Sequence, residues 1–318
     1  MTIEHGGALD RAIARHGGER REWLDLSTGI NPWAYPIPPL PSDAWTRLPE
    51  QGDMDALLIA ARTAYDVPRS WEIVAAPGTQ ILLNLLPPTY PRGHVRVLSP
   101  TYSEHARVWR NAGHTVEEAS EPDDADVIIA VNPNNPDGRD HLISNVRAHA
   151  RRLCVVDEAF RDGADELSAL RTPDERTIVL RSFGKFYGLA GIRLGFAIGP
   201  PSLLTPLRTM IEPWGVSGPA LRIGAIALAD RAWRDRMRRT LGHEAERLAA
   251  VLEGCGLAIV GRTNLFVTIS HADAAGIYER LINARILVRV FDYAPTWLRF
   301  GLPANDEAHD RLLQVLRG

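Results

Sequence analysis

From residue 72 to 199 the chain alternates short, nearly continuous apolar runs with segments that suit helices. The runs are EIVAAP (72–77), HVRVLSP (94–100), ADVIIAVNP (125–133), RLCVVDEAF (152–160), RTIVLRSFG (176–184) and RLGFAIG (193–199). Their hydrophobicity is mostly unbroken rather than alternating, the pattern of strands buried on both faces of a largely parallel sheet. An α/β core is therefore expected. In such sheets ligands lie beyond the carboxyl ends of the strands, so the residues that follow each run are the ones to search for chemistry.

The flanks differ. NPWAYPIPPLP (31–41) is too rich in proline for a helix or a central strand and predicts an extended arm over residues 1–45. From Ala220 to Glu253 strong helix formers recur with helical spacing and predict one or two helices. The tail then reads as strand (LAIVGRTNLFVTIS), helix (ADAAGIYERLINA), two strands (ILVRVF and WLRFGLP) and a terminal helix. The expected organisation is an arm (1–45), a large domain (46–212) and a smaller α+β domain (213–318).

Composition narrows the partners. With 318 residues and 45% hydrophobic content the chain can bury a sizeable core. A net charge of −3, with both signs mixed along the length, leaves no basic stripe of the kind that nucleic acid requires. Cys154 and Cys255 lack metal-ligand spacing and are expected in the core, so neither a disulfide framework nor a metal site is expected. The first residues show no apolar leader, and no stretch approaches the roughly 18 apolar residues of a membrane span. These features predict a cytoplasmic protein that leaves membranes alone.

The sharpest chemical feature is Ser182-Phe-Gly-Lys185, directly after an apolar run and eight residues before Arg193. A lysine at a strand end in a Gly-rich, aromatic setting loses its proton more easily than one in water and can act as an amine nucleophile. Arg193 and Ser182 together suit a phosphate. Gly78-Thr79 opens an apolar helix whose free N–H groups favour an anion. Asn132-Pro-Asn-Asn135-Pro-Asp-Gly forms a tight turn after a buried run. Asp157 ends a run too apolar to be solvated and needs a cationic partner, which a pyridinium nitrogen would provide. Taken singly, each has an ordinary structural explanation: a solvated loop lysine, a helix cap, a turn, an internal ion pair. Together and in this order they call for a common one.

These segments resemble the fold-type I pyridoxal-phosphate enzymes, the class I and II aminotransferase family, over most of the chain. The resemblance implies an aspartate-aminotransferase-like fold and pyridoxal 5'-phosphate carried on Lys185 as a Schiff base. It further implies that Gly78, Thr79, Ser182 and Arg193 hold the cofactor phosphate, Asn135 its phenolic oxygen and Asp157 its pyridine nitrogen. Tyr102, in Ser99-Pro-Thr-Tyr102, corresponds to the ring stacked on the cofactor, and Arg299 in TWLRFG to the substrate-carboxylate arginine. Two departures stand out: Leu48 occupies the place of a tyrosine that reaches a neighbouring subunit's cofactor phosphate, and Gly184 that of a second serine.

Within the family, the arm is similar to the threonine-phosphate decarboxylases of cobalamin biosynthesis, which are themselves similar to histidinol-phosphate aminotransferases. The matching stretches are His5-Gly-Gly, Leu24 to Pro32 (LDLSTGINP), Pro213-Trp214-Gly-Val-Ser, Arg285-Ile-Leu-Val-Arg289 and Asp157-Glu-Ala-Phe160. Phe160 replaces the tyrosine that most aminotransferases use as a second donor to the phenolic oxygen. A substrate bearing carboxylate and phosphate needs several cations, and His5, Asn31, Arg289 and Arg299 are the candidates. The implied reaction is decarboxylation of L-threonine O-3-phosphate by a homodimer. A histidinol-phosphate-type aminotransferase is the alternative, a non-catalytic binding protein a second, and a dinucleotide-binding oxidoreductase is disfavoured because G-x-G-x-x-G is absent.

Overall fold

The computed structural model describes residues 6–163, 165–211 and 213–318. Its strands, in chain order, are β1 (Leu24–Asp25), β2 (Glu72–Ala76), β3 (His94–Leu98), β4 (Thr115–Ala119), β5 (Ala125–Val131), β6 (Ala150–Asp157), β7 (Thr177–Ser182) and β8 (Gly195–Gly199). After three helices these are followed by β9 (Ala258–Thr263), β10 (Phe266–Ser270), β11 (Ile286–Leu287), β12 (Arg289–Val290) and β13 (Trp297–Gly301). The chain divides into two compact units.

The larger unit, residues 34–135 and 139–238, is built on a seven-stranded sheet in the order β2-β8-β7-β6-β5-β3-β4. All of the pairings are parallel except those of β8, which runs antiparallel to both β2 and β7. Val95, Val97, Ile128, Ile129, Leu153, Ile178, Leu180 and Phe196 are fully buried, as their unbroken hydrophobic runs require. One strand has no counterpart in those runs. β4, TVEEA, is an edge strand with largely exposed side chains, so it carries no apolar signature.

The direction of β8 matters to everything that follows. The parallel strands β2, β3, β5, β6 and β7 all end at one edge of the sheet, and β8 begins there, with Gly195 in register with both Ala76 and Ser182. Arg193 thus reaches the carboxyl edge from the amino end of its strand.

The smaller unit comprises residues 1–33, 136–138 and 239–318. It holds a four-stranded antiparallel sheet, β12-β13-β10-β9, and the short parallel pair β1-β11. The Leu9–His16 helix packs on Trp23, Ile282 and Leu287.

Several expectations change at this level. Residues 257–270 form a hairpin, β9 and β10, rather than one strand. The turn is at Asn264-Leu265, where the Leu265 N–H donates to Thr263 Oγ1 at 3.1 Å. Residues 286–290 split at the buried Val288 between two sheets, β11 pairing with β1 and β12 with β13. The compact units also draw boundaries different from 1–45, 46–212 and 213–318. Residues 213–238 join the larger unit because the Gly218–Ala229 helix packs on the Gln51–Ala64 helix, with Arg222 Nη1 2.8 Å from Asp43 and Nε 3.2 Å from Asp53. Residues up to 33 join the smaller unit because β1 pairs with β11. The proline-rich stretch 34–41 is indeed without helix or strand, and Tyr35 donates its N–H to the Tyr187 carbonyl at 2.8 Å. Cys154 is buried as expected, but Cys255 is only half-buried.

Candidate active site

Lys185 sits in a four-residue helical turn, Phe183–Phe186, immediately after β7. Beneath it lies an aromatic stack. Phe183 and Tyr187 are parallel with ring centres 4.3 Å apart, and Tyr187 stacks on Trp233 at 5.5 Å. These rings fix the turn and limit water around it, the setting in which an amine is most readily used as a nucleophile. The Lys185 ammonium lies 4.7 Å from the centre of the Phe160 ring. Phe160 is thus beside the Lys185 amine without offering it a hydroxyl.

Gly78, Thr79, Ser182 and Arg193 gather at one point. Gly78 has φ +86, a conformation that side chains disfavour, and a Cβ on it would lie 2.6 Å from Arg193 Nη2. A Cβ on Gly195 would meet the Thr79 backbone N at 2.5 Å. The two bare glycines therefore let the guanidinium and the start of the Thr79–Leu85 helix approach each other, and no side chain caps that helix. Uncapped N–H groups, an exposed guanidinium and the Ser182 hydroxyl at the end of β7 form a notch suited to a phosphate dianion.

Asp157, at the end of β6, is the group whose environment the sequence left open. Burial raises its pKa, yet the net effect is a lowering: a hydrogen bond from His105 and the charges of His105 and Lys185 outweigh burial, as does the Ala159 N–H at 3.0 Å. His105 Nε2 lies 3.0 Å from Asp157 Oδ2 and is fully buried. The carboxylate is held ionised inside the protein, as partnership with a protonated pyridine nitrogen demands. His105 was missed in the sequence reading. The available signal was its position, three residues after Tyr102 and so on the same side of the turn that begins the Glu104–Asn111 helix.

Tyr102 contacts His105 edge to face, with centres 6.1 Å apart, and burial pushes its phenol up to about 12. Asn135 ends the turn after β5, half-buried. The turn is fixed by its neighbours: Asn132 Oδ1 accepts from the His141 N–H at 2.8 Å, and Thr101 Oγ1 donates to Asn134 Oδ1 at 2.6 Å. All eight expected cofactor-side residues thus lie at or just beyond the carboxyl edge of one sheet, within the larger unit.

Three of the substrate candidates, Asn31, Arg289 and Arg299, belong to the smaller unit. Arg289 on β12 is directly opposite Arg299 on β13. Like charges so placed repel, and an anion between them relieves the cost. Arg299 is buried, donates from Nη2 to the Ser27 carbonyl at 3.0 Å, and has its pKa lowered to about 10 by burial and then by Arg289. It stays cationic at neutral pH. Asn31 is buried and its Oδ1 accepts from the Trp33 N–H at 2.8 Å. His5 falls outside the described residues. Leu48 is exposed. Among the described residues no helix is long and apolar enough to cross a membrane.

Comparison with known proteins agrees with this chemistry. The family model for aminotransferase class I and II matches residues 59–316. A threonine-phosphate decarboxylase of Sinorhizobium sp is 43% identical over 98% of this chain and 96% of its own, and one of Pseudomonas aeruginosa is 41% identical over 99% and 98%. A histidinol-phosphate aminotransferase of Geobacter sp. is 29% identical over 85% of this chain and 83% of its own. In fold, the chain is similar to the Sinorhizobium meliloti histidinol-phosphate aminotransferase solved with pyridoxal-5'-phosphate. That likeness has a TM-score of 0.79 at 20% identity, over 100% of this chain and 94% of the other.

Proposed function

This chain belongs to the aminotransferase class I and II family, and from that premise we propose that it is a pyridoxal 5'-phosphate-dependent carboxy-lyase acting on L-threonine O-3-phosphate. The products are (R)-1-amino-2-propanol O-phosphate and CO₂, a step of cobalamin biosynthesis. The observation that carries the reading is full-length identity of 43% and 41% to two threonine-phosphate decarboxylases. The histidinol-phosphate aminotransferase of Geobacter sp. shares less, over a shorter span.

The residues fit the cofactor. Gly78, Thr79, Ser182 and Arg193 would hold its phosphate, Asn135 its phenolic oxygen and Asp157 its pyridine nitrogen, with Tyr102 against the ring and Lys185 as the attachment point. The notch that a Cβ on Gly78 would fill is the structural support for that fit. When bound, the cofactor supplies an electron sink conjugated with the substrate's α-carbon.

The protein's task is then to choose the bond that breaks. Arg299 and Arg289, together with Asn31 and His5, would engage the anionic groups of the substrate and fix its orientation, so that the Cα–carboxylate bond cleaves in preference to Cα–H. The carboxylate leaves as CO₂ and Lys185 Nζ delivers one proton to the α-carbon in its place. Phe160 beside Nζ offers no second acid, which supports delivery from Lys185 alone.

Purified protein reconstituted with pyridoxal 5'-phosphate tests this. Threonine phosphate should yield equimolar CO₂ and aminopropanol phosphate by NMR, whereas histidinol phosphate with 2-oxoglutarate should yield no glutamate. Glutamate formation without CO₂ release would replace the decarboxylase reading by the aminotransferase one. The reading includes a homodimer, for which Trp45, Ile59 and Ile226 provide exposed apolar side chains on neighbouring helices, with Leu48 in the connection between the Asp43–Thr46 and Gln51–Ala64 helices.

A further inference from the structure

Behind Tyr102 runs a hydrogen-bonded chain that no part of the proposed reaction requires. Tyr102 Oη is 3.1 Å from Gln80 Oε1, Gln80 Nε2 is 2.9 Å from Glu104 Oε2, and Arg107 grips both oxygens of Glu104, with Nε 2.9 Å from Oε1. The polarity of this chain follows from its anchor. Glu104 is buried and paired with a guanidinium, so it is an acceptor only. Gln80 must therefore turn its NH₂ toward Glu104 and its carbonyl toward Tyr102. The phenol is left with one role there, that of donor.

The Tyr102 ring is thus held at two places: its hydroxyl by Gln80, and its flank by the edge-on contact with His105, whose other partner is Asp157. We propose that Gln80 and Glu104 are positioning residues that fix the plane of Tyr102 and commit its hydroxyl proton, presetting the ring to stack on the cofactor. This rests on the reading of Tyr102 as the stacking residue. It also removes Tyr102 from the acid–base chemistry, since its proton is engaged and burial keeps it protonated to about pH 12.

The test is a double-mutant cycle read on the apoprotein's dissociation constant for pyridoxal 5'-phosphate and on the induced visible circular dichroism of the bound cofactor. Loss of one buried hydrogen bond should weaken retention by about 3- to 10-fold in Gln80→Met and diminish the induced band. Tyr102→Phe should do the same, and the double variant should be no worse than either single one. Multiplying effects would overturn the proposal, because Gln80 would then act independently of the hydroxyl. If Gln80→Met fails to give a cooperative melt as apoprotein, Glu104→Gln, which removes the fixed polarity, is read in the same cycle. Tyr102→Ala separates the layers. Unchanged cofactor retention in that variant removes the stacking role itself, and the proposal with it. A loss in Tyr102→Ala beside unchanged Gln80→Met and Glu104→Gln removes the positioning role alone.

Discussion

At the scale of single residues, the least expected group is Arg181, fully buried inside β7 one position before Ser182. Its guanidinium lies 2.9 Å from Glu158 and 3.1 Å from Asp165, with Asp162 at 3.9 Å. Three carboxylates around one buried cation leave the most distant of them poorly compensated. Burial raises Asp162 to about 7, Arg181, Arg238 and Arg234 pulling the other way and Asp165 adding to the rise. The folded protein therefore holds this proton more tightly than the unfolded chain, where aspartate titrates near about 3.9. Its stabilising contribution is complete below that value and is lost as pH rises through about 7. Asp162→Asn should accordingly flatten the fall in melting temperature between about pH 4 and pH 7. Parallel profiles for parent and variant would sink this assignment. Lys185, Arg193 and Asp157 could be singled out from local spacing, but this cluster could not. A charged residue in an apolar run announces burial only through its partners, and Glu158, Asp162 and Asp165 sit on other segments.

At the scale of elements, the six apolar runs name six of the seven strands of the large sheet, because burial on both faces imposes an unbroken apolar pattern. The failures share a cause. β4 is exposed, β1, β11 and β12 have two residues each, and the turn between β9 and β10 falls within a continuous run. None of these differs enough in hydrophobicity from its surroundings to be read locally. The Gly78 turn shows what an element boundary contributes to the site. In Gly78→Ala the added methyl would displace Arg193 and strain a backbone at φ +86. The expected result is cofactor affinity lower by on the order of 10-fold, with about 1 kcal/mol lost from the apoprotein. Equilibrium binding and melting measure the two separately, and unchanged affinity would mean that Arg193 does not need this notch.

At the scale of the whole molecule, the chain enters the smaller unit, forms the larger one and returns. A reading made segment by segment assigns the first residues to an arm and places the boundary at 213, since only long-range pairing, β1 with β11, reveals where the amino-terminal residues belong. The proposed homodimer is tested at this scale. Ile59 and Trp45 are 68% and 67% exposed, far more than large apolar side chains usually tolerate in isolation. Replacing both by Asp should convert a dimer to monomer by light scattering while leaving the melting of the subunit cooperative. An unchanged mass would place the interface elsewhere.

The sequence by itself determined the α/β class and the order of the sheet-forming runs, and it singled out Gly78, Thr79, Tyr102, Asn135, Asp157, Ser182, Lys185 and Arg193 as candidates for the cofactor side. It could do so because buried strands and the turns after them are local, and because a nucleophile, its phosphate partners and a buried acid need particular residue types at fixed spacing. Only the tertiary structure decided who their neighbours are. That His105 keeps Asp157 ionised, that Gln80 and Glu104 lie behind Tyr102, and that Arg289 stands opposite Arg299 all depend on contacts between segments far apart in sequence. Such contacts are set by strand order and direction, above all by the reversed β8, and no local pattern encodes them.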